Sequence, residues 1–545
     1  MPLLRRFARA EDGVLAPILA FALLPLAAIV GVAADYTALA RLHDRLQLST
    51  DASSLPLCKA PAALSPDQLR AIAQRILDTN MGVGAATADT PAVIAAPRSV
   101  SLTARADYKV LFSGLIGATT VPLSASSTCS ANEQDFEVAL VLDNTGSMAN
   151  SSNGVTKIAA LKQAATDFVT YLAGSTALSG HLRLSLVPFS AAVAVDPATP
   201  GLVNSIDMAG QSSLHWPNVS NAAASGFANR LDIFAKLSPK ATDWAWAGCF
   251  ESLPYPRNVR DGKPDAADPD SFLVPMFAPD EAGNGGSTSH TEKSSGKNQS
   301  TPNSYIDDAT SATGCSTTPN DDATRMLRAC KYAKPTNADS AGDRGPNWMC
   351  RSRPLTRLTA DTNKIISEIA AMQANGNTNI HEGVVWGWRT LSPLSVFGDG
   401  AAYTKQANNK IMVLMTDGMN TWTANSGNSV LKSYYSAYGY FRNADGSTPN
   451  TRLPPANASP STDATARAAM DALTREACQN VRAAGIKIYT VGFSIPTDPI
   501  DALGLQLLKD CAGVASQAFV ATDSAALIAA FQAIGQGIGR LRLSK

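Results

Sequence analysis

Asp143, Thr145 and Ser147 stand on alternate residues directly after the apolar run Phe136 to Leu142. The run drives into a tight turn, and alternation puts these three side chains on one side of the loop. One carboxylate and two hydroxyls therefore face a common point. Two distant segments offer partners: Thr378, between two helical stretches, and Asp417, which closes the apolar run Ile411 to Met415 just after Thr416. Hard oxygens of this kind suit Mg²⁺, or Mn²⁺ or Ca²⁺, and not a thiophilic metal. Each part alone has a plainer reading, Asp143 and Asp417 as turn residues and Thr378 as a helix cap. Taken in order, each at a strand end or a helix start, they favour one shared cation site. Asp143, Ser147 and Thr378 are then direct or water-mediated ligands, Thr145 an inner or outer hydroxyl, and Asp417 a ligand through water.

Enzymatic chemistry finds little support. A strand-end Asp acting as a phosphohydrolase nucleophile needs a second acid two residues on, and Thr145 stands there. No Ser/His/Asp order with a nucleophile elbow occurs. His381 lacks companions spaced for zinc and reads as a surface or capping residue. Glu382 reads as part of a solvated helix face. Tyr434, Tyr435, Tyr438 and Tyr440 suit either a recognition surface or the packing of their own loop. Gly535, Gly537 and Gly539 do not follow a strand, so they are no nucleotide loop. No catalytic residue is expected, and no cofactor beyond the cation.

The elements that must hold these residues alternate. Strands are expected at Arg183 to Ser190, Asn409 to Thr416, Lys487 to Ser494 and Gln517 to Ala521. Helices are expected at Lys157 to Ala173, Asp361 to Ala374, Ile380 to Leu391, Asp463 to Ala484, Leu503 to Cys511 and Ser524 to about Leu541. This pattern predicts an α/β fold with a doubly wound, mostly parallel sheet. Ligands of such sheets bind at the carboxyl ends of strands. Two polar stretches interrupt the pattern as insertions, at about 196–358 and 420–461. Asp280 to Ser304 is polar enough to predict disorder.

Lys+Arg and Asp+Glu balance at 45 each, so no overall field points to nucleic acid. Locally, Arg5, Arg6 and Arg9 precede Val14 to Ala34, which is free of charge and near bilayer length. The expectation is a single transmembrane helix with everything after it exported. A cleaved signal with small residues at Gly31 to Ala33 is the competing reading. A helix is expected to continue through Tyr36 to Leu55, with a second at Ser65 to Asn80 and short strands across Val93 to Ser126, a small α+β region. All eight cysteines fall on the exported side without a C-x-x-C pair, which favours disulfides. Cys478 with Cys511 is the best single pairing, and Cys58 with Cys129 would bracket the membrane-proximal region. The four others, in or beside the first insertion, have no deducible connectivity. The expected domains are 1–55, an anchor and helix; 56–132, the α+β region; and 133–545, the sheet domain.

The D-x-T-x-S run from Asp143 to Ser147, then Thr378, then Asp417, resembles the metal-ion-dependent adhesion site of von Willebrand factor A domains. Thr145 stands where that family usually has serine. The N-terminal stretch Arg9 to Gly13, the apolar run, Asp35 and Leu46 to Ser53 resemble the start of TadE/TadG-like Flp (tight adherence) pilus-assembly proteins. Segments Trp246 to Cys249, Phe272 to Pro279, Gly345 to Cys350 and Gly387 to Pro393 are similar to TadG-like A-domain proteins. The resemblance implies a periplasmic protein anchored in a bacterial inner membrane. Its cation captures an Asp or Glu of a pilus-assembly or surface partner. The alternatives are a structural periplasmic element whose metal only stabilises it and, behind that, a Mg²⁺-dependent hydrolase.

Overall fold

The computed structural model describes residues 15–540, except 62, 96–97, 111–119, 131–133, 153, 176–177, 179, 293, 308–314, 317 and 336–343. The chain divides into two compact units, residues 1–133 and 134–545.

In the first unit, helix Leu15–Lys59 runs without interruption across the expected boundary at residue 55. Helix Pro66–Met81 begins where Ser65 and Gln68 cap each other reciprocally, with proline in the first turn. Strands Arg98–Lys109 and Thr120–Ser130 pair antiparallel from Ser99 opposite Ser130 to Lys109 opposite Thr120. Leu46, Leu57, Leu69, Leu77, Val100 and Leu102 form their shared core, and Cys58 is bonded to Cys129. The long helix and the α+β region thus fall in one unit. The expected membrane span is not supported here: among the described residues, no helix is long and apolar enough to cross a membrane. Arg5, Arg6, Arg9, Gly13 and Val14 lie outside the described residues, and with them much of the N-terminal resemblance.

The second unit is built on a six-stranded sheet. Its strands are β1 Asp135–Asp143, β2 Leu182–Phe189, β3 Thr356–Thr359, β4 Asn408–Thr416, β5 Lys487–Phe493 and β6 Ala518–Ala521. The spatial order is β3-β2-β1-β4-β5-β6, parallel except for the edge strand β3, which runs antiparallel to β2. This is a doubly wound order, and the winding reverses between β1 and β4. Side chains alternate as a pleat requires. Phe136, Val138, Leu140 and Leu142 pack under helices α1 Lys157–Gly174, α2 Thr362–Ala371 and α6 Ser524–Arg540. Ala139 and Val141 meet α3 Ile380–Leu391, α4 Asp463–Ala483 and α5 Ala502–Ala512 on the other face.

Helix α3 sits unusually close to the sheet. A Cβ on Gly387 would stand 2.4 Å from Val141 Cγ2, and one on Gly383 would stand 2.8 Å from the Phe189 ring. Both glycines let the helix press onto the sheet, Gly383 against β1 and β2 and Gly387 against β1 and β4. Cys478 of α4 is bonded to Cys511 of α5.

Strand β3 overlaps the end of the range expected for the first insertion. Its four residues, with Leu358 as the one apolar member, carry too little periodicity to reveal an edge strand. The insertion therefore ends before Thr356. Its two disulfides are Cys249–Cys350 and Cys315–Cys330. The expected disorder of 280–304 is overturned. Asp280 and Glu281 are fully buried, as are Asn303 and Ser304. Polar residues can be buried when their partners are in place. Asp280 accepts from the Tyr305 and Ile306 amides and pairs with Lys331. A second buried charge cluster joins Glu251 to Arg230, Arg452 and the Tyr435 hydroxyl.

The remaining open readings close against exposure. Tyr435, Tyr438 and Tyr440 are buried and Tyr434 half-buried, so the cluster packs its own region. His381 is neither surface nor cap: it is buried, bonded through Nδ1 to the Tyr438 hydroxyl and through Nε2 to the Asn258 carbonyl. Burial pushes its pKa down to about 3, so the imidazole is neutral. Glu382 is likewise buried, accepting from Trp386 Nε1, and not on a solvated face.

Candidate metal centre

Asp143 ends β1 and Asp417 follows β4, neighbouring strands at the reversal point. Asp143 is fully buried, and both of its oxygens are engaged. Oδ1 accepts from the Thr145 amide at 2.8 Å, and Oδ2 from the Thr416 hydroxyl at 2.5 Å. The Thr145 and Ser147 hydroxyls lie 3.1 Å apart, and Ser147 Oγ donates to Asp417 Oδ1 at 2.9 Å. Simple alternation does not carry through, because Gly146–Ala149 winds into a 3-10 turn. The contacts instead run from Asp143 through the Thr145 amide, and from the Thr145 hydroxyl through Ser147 to Asp417.

The loop that carries Thr378 packs against the other two through neighbouring residues and the Thr378 carbonyl, without a hydrogen bond from the Thr378 hydroxyl to the other four among the described residues. Asn144 Nδ2 donates to the Gln373 carbonyl, the Asn375 amide to the Asn144 carbonyl, and the Gly146 amide to the Gly376 carbonyl. On the other side the Thr421 amide donates to the Thr378 carbonyl at 2.8 Å, and Asn420 Oδ1 accepts from the Ile380 amide. Gly376 adopts φ +81°, a conformation glycine takes at no steric cost. A Cβ on Gly418 would stand 3.8 Å from the Thr378 hydroxyl. The three loops are thereby pinned to one another around the five residues.

Two charged residues join that sequence spacing did not disclose. Lys157, at the start of α1, is buried and donates to Asp417 Oδ2 at 3.0 Å and to Asp498 Oδ2 at 2.6 Å. Asn150 Nδ2 also donates to Asp498. Asp498 follows the carboxyl end of β5, the edge where ligands gather in such sheets, and that rule was the one available signal for it. Nothing in the sequence pointed to Lys157, whose role depends on where α1 begins in space.

Charge is unbalanced here. Burial, and next the charge of Asp417, push the Asp143 pKa up to about 7. Burial also lifts Asp417, although Lys157 works against it. Asp498 is lowered: partial burial acts upward but the Lys157 and Asn150 hydrogen bonds outweigh it. Three carboxylates against one ammonium leave two negative charges when all are ionised, which one divalent cation would neutralise. The oxygen-only donor set fits Mg²⁺, Mn²⁺ or Ca²⁺. Among the described residues no group of three or more His, Cys, Asp or Glu could hold a metal ion, so any such site rests on hydroxyls as well as carboxylates. Lys157→Met leaves Asp417 and Asp498 without their shared counter-charge. Its expected cost is about 3–5 kcal/mol in metal-free protein. Urea melts with and without Mg²⁺ should show much of that loss recovered by the cation.

No family model matches the chain, and no curated protein matches it. Among solved structures it is similar to the pilus adhesin SpaC of Lactobacillus rhamnosus GG, at 11% identity and a TM-score of 0.33, over 84% of this chain and 34% of that one. It is similar to the vWF domain of a type V pilus tip protein of Porphyromonas gingivalis, at 12% identity and a TM-score of 0.32, over 74% and 95%. A third is the adhesive tip pilin of Group B Streptococcus agalactiae, at 11% identity and a TM-score of 0.32, over 74% and 100%. The chain spans about a third of the length of SpaC.

Proposed function

We propose that this chain is an extracytoplasmic binding protein of the Flp/Tad pilus-assembly or adhesion type. In this reading a divalent cation held by Asp143, Ser147, Thr378 and, through water, Asp417 captures a partner's Asp or Glu. One observation carries it: loops from three distant parts of the chain deliver two buried carboxylates and their hydroxyls to one point. When bound, the cation supplies a Lewis-acidic centre that attracts a further carboxylate. The chain's own residues do the rest. Thr145 and Thr416 orient Asp143, while Ser147 and Lys157 orient Asp417. Beside the site a groove of about 490 Å³ begins at Met419 and Thr421 and continues along Trp422, Arg467 and Leu503. It supplies area for a partner beyond the single carboxylate.

Four disulfides among the described residues support an oxidising, exported location. Phe21, Leu23, Leu26, Ile29 and Val30 are exposed on helix Leu15–Lys59, an apolar run that supports membrane attachment of this end. Fractionation of cell envelopes tests that attachment. A second reading, a metal that only stabilises, is favoured by the burial of Asp143 and Asp417. Tagged full-length protein is used to capture pilus components from native membranes with Mg²⁺ or with EDTA. Binding that is lost in EDTA and in Asp143→Asn, at a metal-free melting temperature no lower than that of metal-free wild type, supports capture. Binding that persists in both leaves the stabilising reading.

A further inference from the structure

The segment Gly387 to Pro393 carries Arg389, a residue the cation site does not use. Arg389 lies near the carboxyl end of α3, whose amino-terminal end abuts Thr378. There a cavity of about 380 Å³ opens between α3 and residues 253–271 of the insertion. Four cations line it, Arg257, Arg260, Lys263 and Arg389, against one carboxylate, Asp261. Arg257 is spoken for by Asp268. Asp261 Oδ2 is already engaged, accepting from the Ser392 hydroxyl at 2.5 Å and the Tyr403 hydroxyl at 2.6 Å.

Arg389 is half-buried and held in place with no protein acceptor on its guanidinium among the described residues. Its guanidinium carbon lies 4.4 Å from the centre of the Trp386 ring, and Trp386 is itself tied to Glu382. Among the described residues, no acceptor hydrogen-bonds its guanidinium and no carboxylate forms an ion pair with it. Burial works against its charge, and Glu382 and Asp261 offset this only at a distance. A guanidinium offers five donors in a planar fork suited to carboxylate and phosphate oxygens. Arg260 and Lys263 add exposed charge at the mouth, and Leu253 and Tyr255 add apolar wall.

From this juxtaposition we infer that the cavity is a binding site for a small organic anion, with a carboxylate or phosphate on the Arg389 guanidinium. The volume lies in the small-molecule range and admits a skeleton of about one sugar ring. The site is separate from the cation centre and stands whether or not that centre holds metal.

The test is calorimetric titration of the full chain with glucuronate and, separately, with inorganic phosphate, at low and at physiological salt. Saturable binding that weakens with salt is expected for at least one probe, and the probe that binds assigns the oxyanion. Arg389→Gln should weaken it about tenfold or more, the usual cost of losing a charge-assisted pair. Since Arg389 packs on Trp386, the exposed pair Arg260→Ala/Lys263→Ala provides a variant that leaves the core untouched, with a smaller loss expected. No saturable heat from either probe up to about 10 mM, or binding unchanged in both variants, would overturn the inference.

Discussion

Chelator-stripped protein should gain about 3 kcal/mol of unfolding free energy when Mg²⁺ is raised to a hundred times its Kd. In Asp143→Asn that gain should vanish. The amide keeps the shape of the side chain: its oxygen can still accept from the Thr145 amide, and its nitrogen faces the Thr416 hydroxyl, which can accept. What disappears is a buried charge that Asp417 repels. The metal-free variant should therefore be no less stable than metal-free wild type, yet should not respond to the cation. Thermal melts of both proteins across a Mg²⁺ titration read the two effects separately. A wild-type melting temperature indifferent to Mg²⁺, Mn²⁺ and Ca²⁺ would sink the cation site. An undiminished response in the variant would move it away from Asp143.

Glu281→Gln should flatten the pH dependence of stability in the sheet domain. Burial pushes the Glu281 pKa up to about 8, and the hydrogen bonds from the Asn303 amide and the Tyr440 hydroxyl only partly oppose it. Below about pH 4.5 the group is protonated in both folded and unfolded chains, and it contributes no slope. Between there and about pH 8 the unfolded chain ionises while the folded one holds its proton. Stability therefore falls as pH rises through that window and levels off above it. The full penalty is about 5 kcal/mol, and glutamine does not incur it. Other buried acids act in wild type and variant alike, so the quantity to measure is the difference between their urea melts at pH 5, 6.5 and 8. All seven tryptophans fall in residues 134–545, which makes their fluorescence a clean reporter of this unit. Parallel profiles would mean that Glu281 is ionised in the folded protein.

Much of the frame was legible from residue order. Helices α1, α3 and α4 and strands β4 and β5 lie within a residue or so of their expected bounds. Their apolar periods are long, and their ends carry caps such as Thr156, Asn379 and Thr462. Two of the four disulfides, Cys58–Cys129 and Cys478–Cys511, match the pairings suggested by their flanking elements. Strand β3 escaped notice because an edge strand of four residues has no pattern to read. The burial of Asp280, Glu281, Asn303 and Ser304 escaped because composition prices polar groups as if none had a partner. Asp280 with Lys331, and Glu251 with Arg230 and Arg452, are stable inside only because chain segments far apart supply the opposite charge.

The same division runs through the candidate site. Residue order was enough to place Asp143 and Asp417 at strand ends and Thr378 at a helix start, because periodicity and capping are local properties. It could also say that their oxygens suit a hard cation. Which further groups stand beside them was decided in three dimensions. Lys157 meets Asp417 and Asp498 across 260 and 341 residues of chain, and Arg389 faces its cavity only because the insertion folds back over α3. Such contacts follow from how helices seat on the two faces of a twisted sheet, as α3 does through Gly383 and Gly387, and no local pattern encodes that geometry.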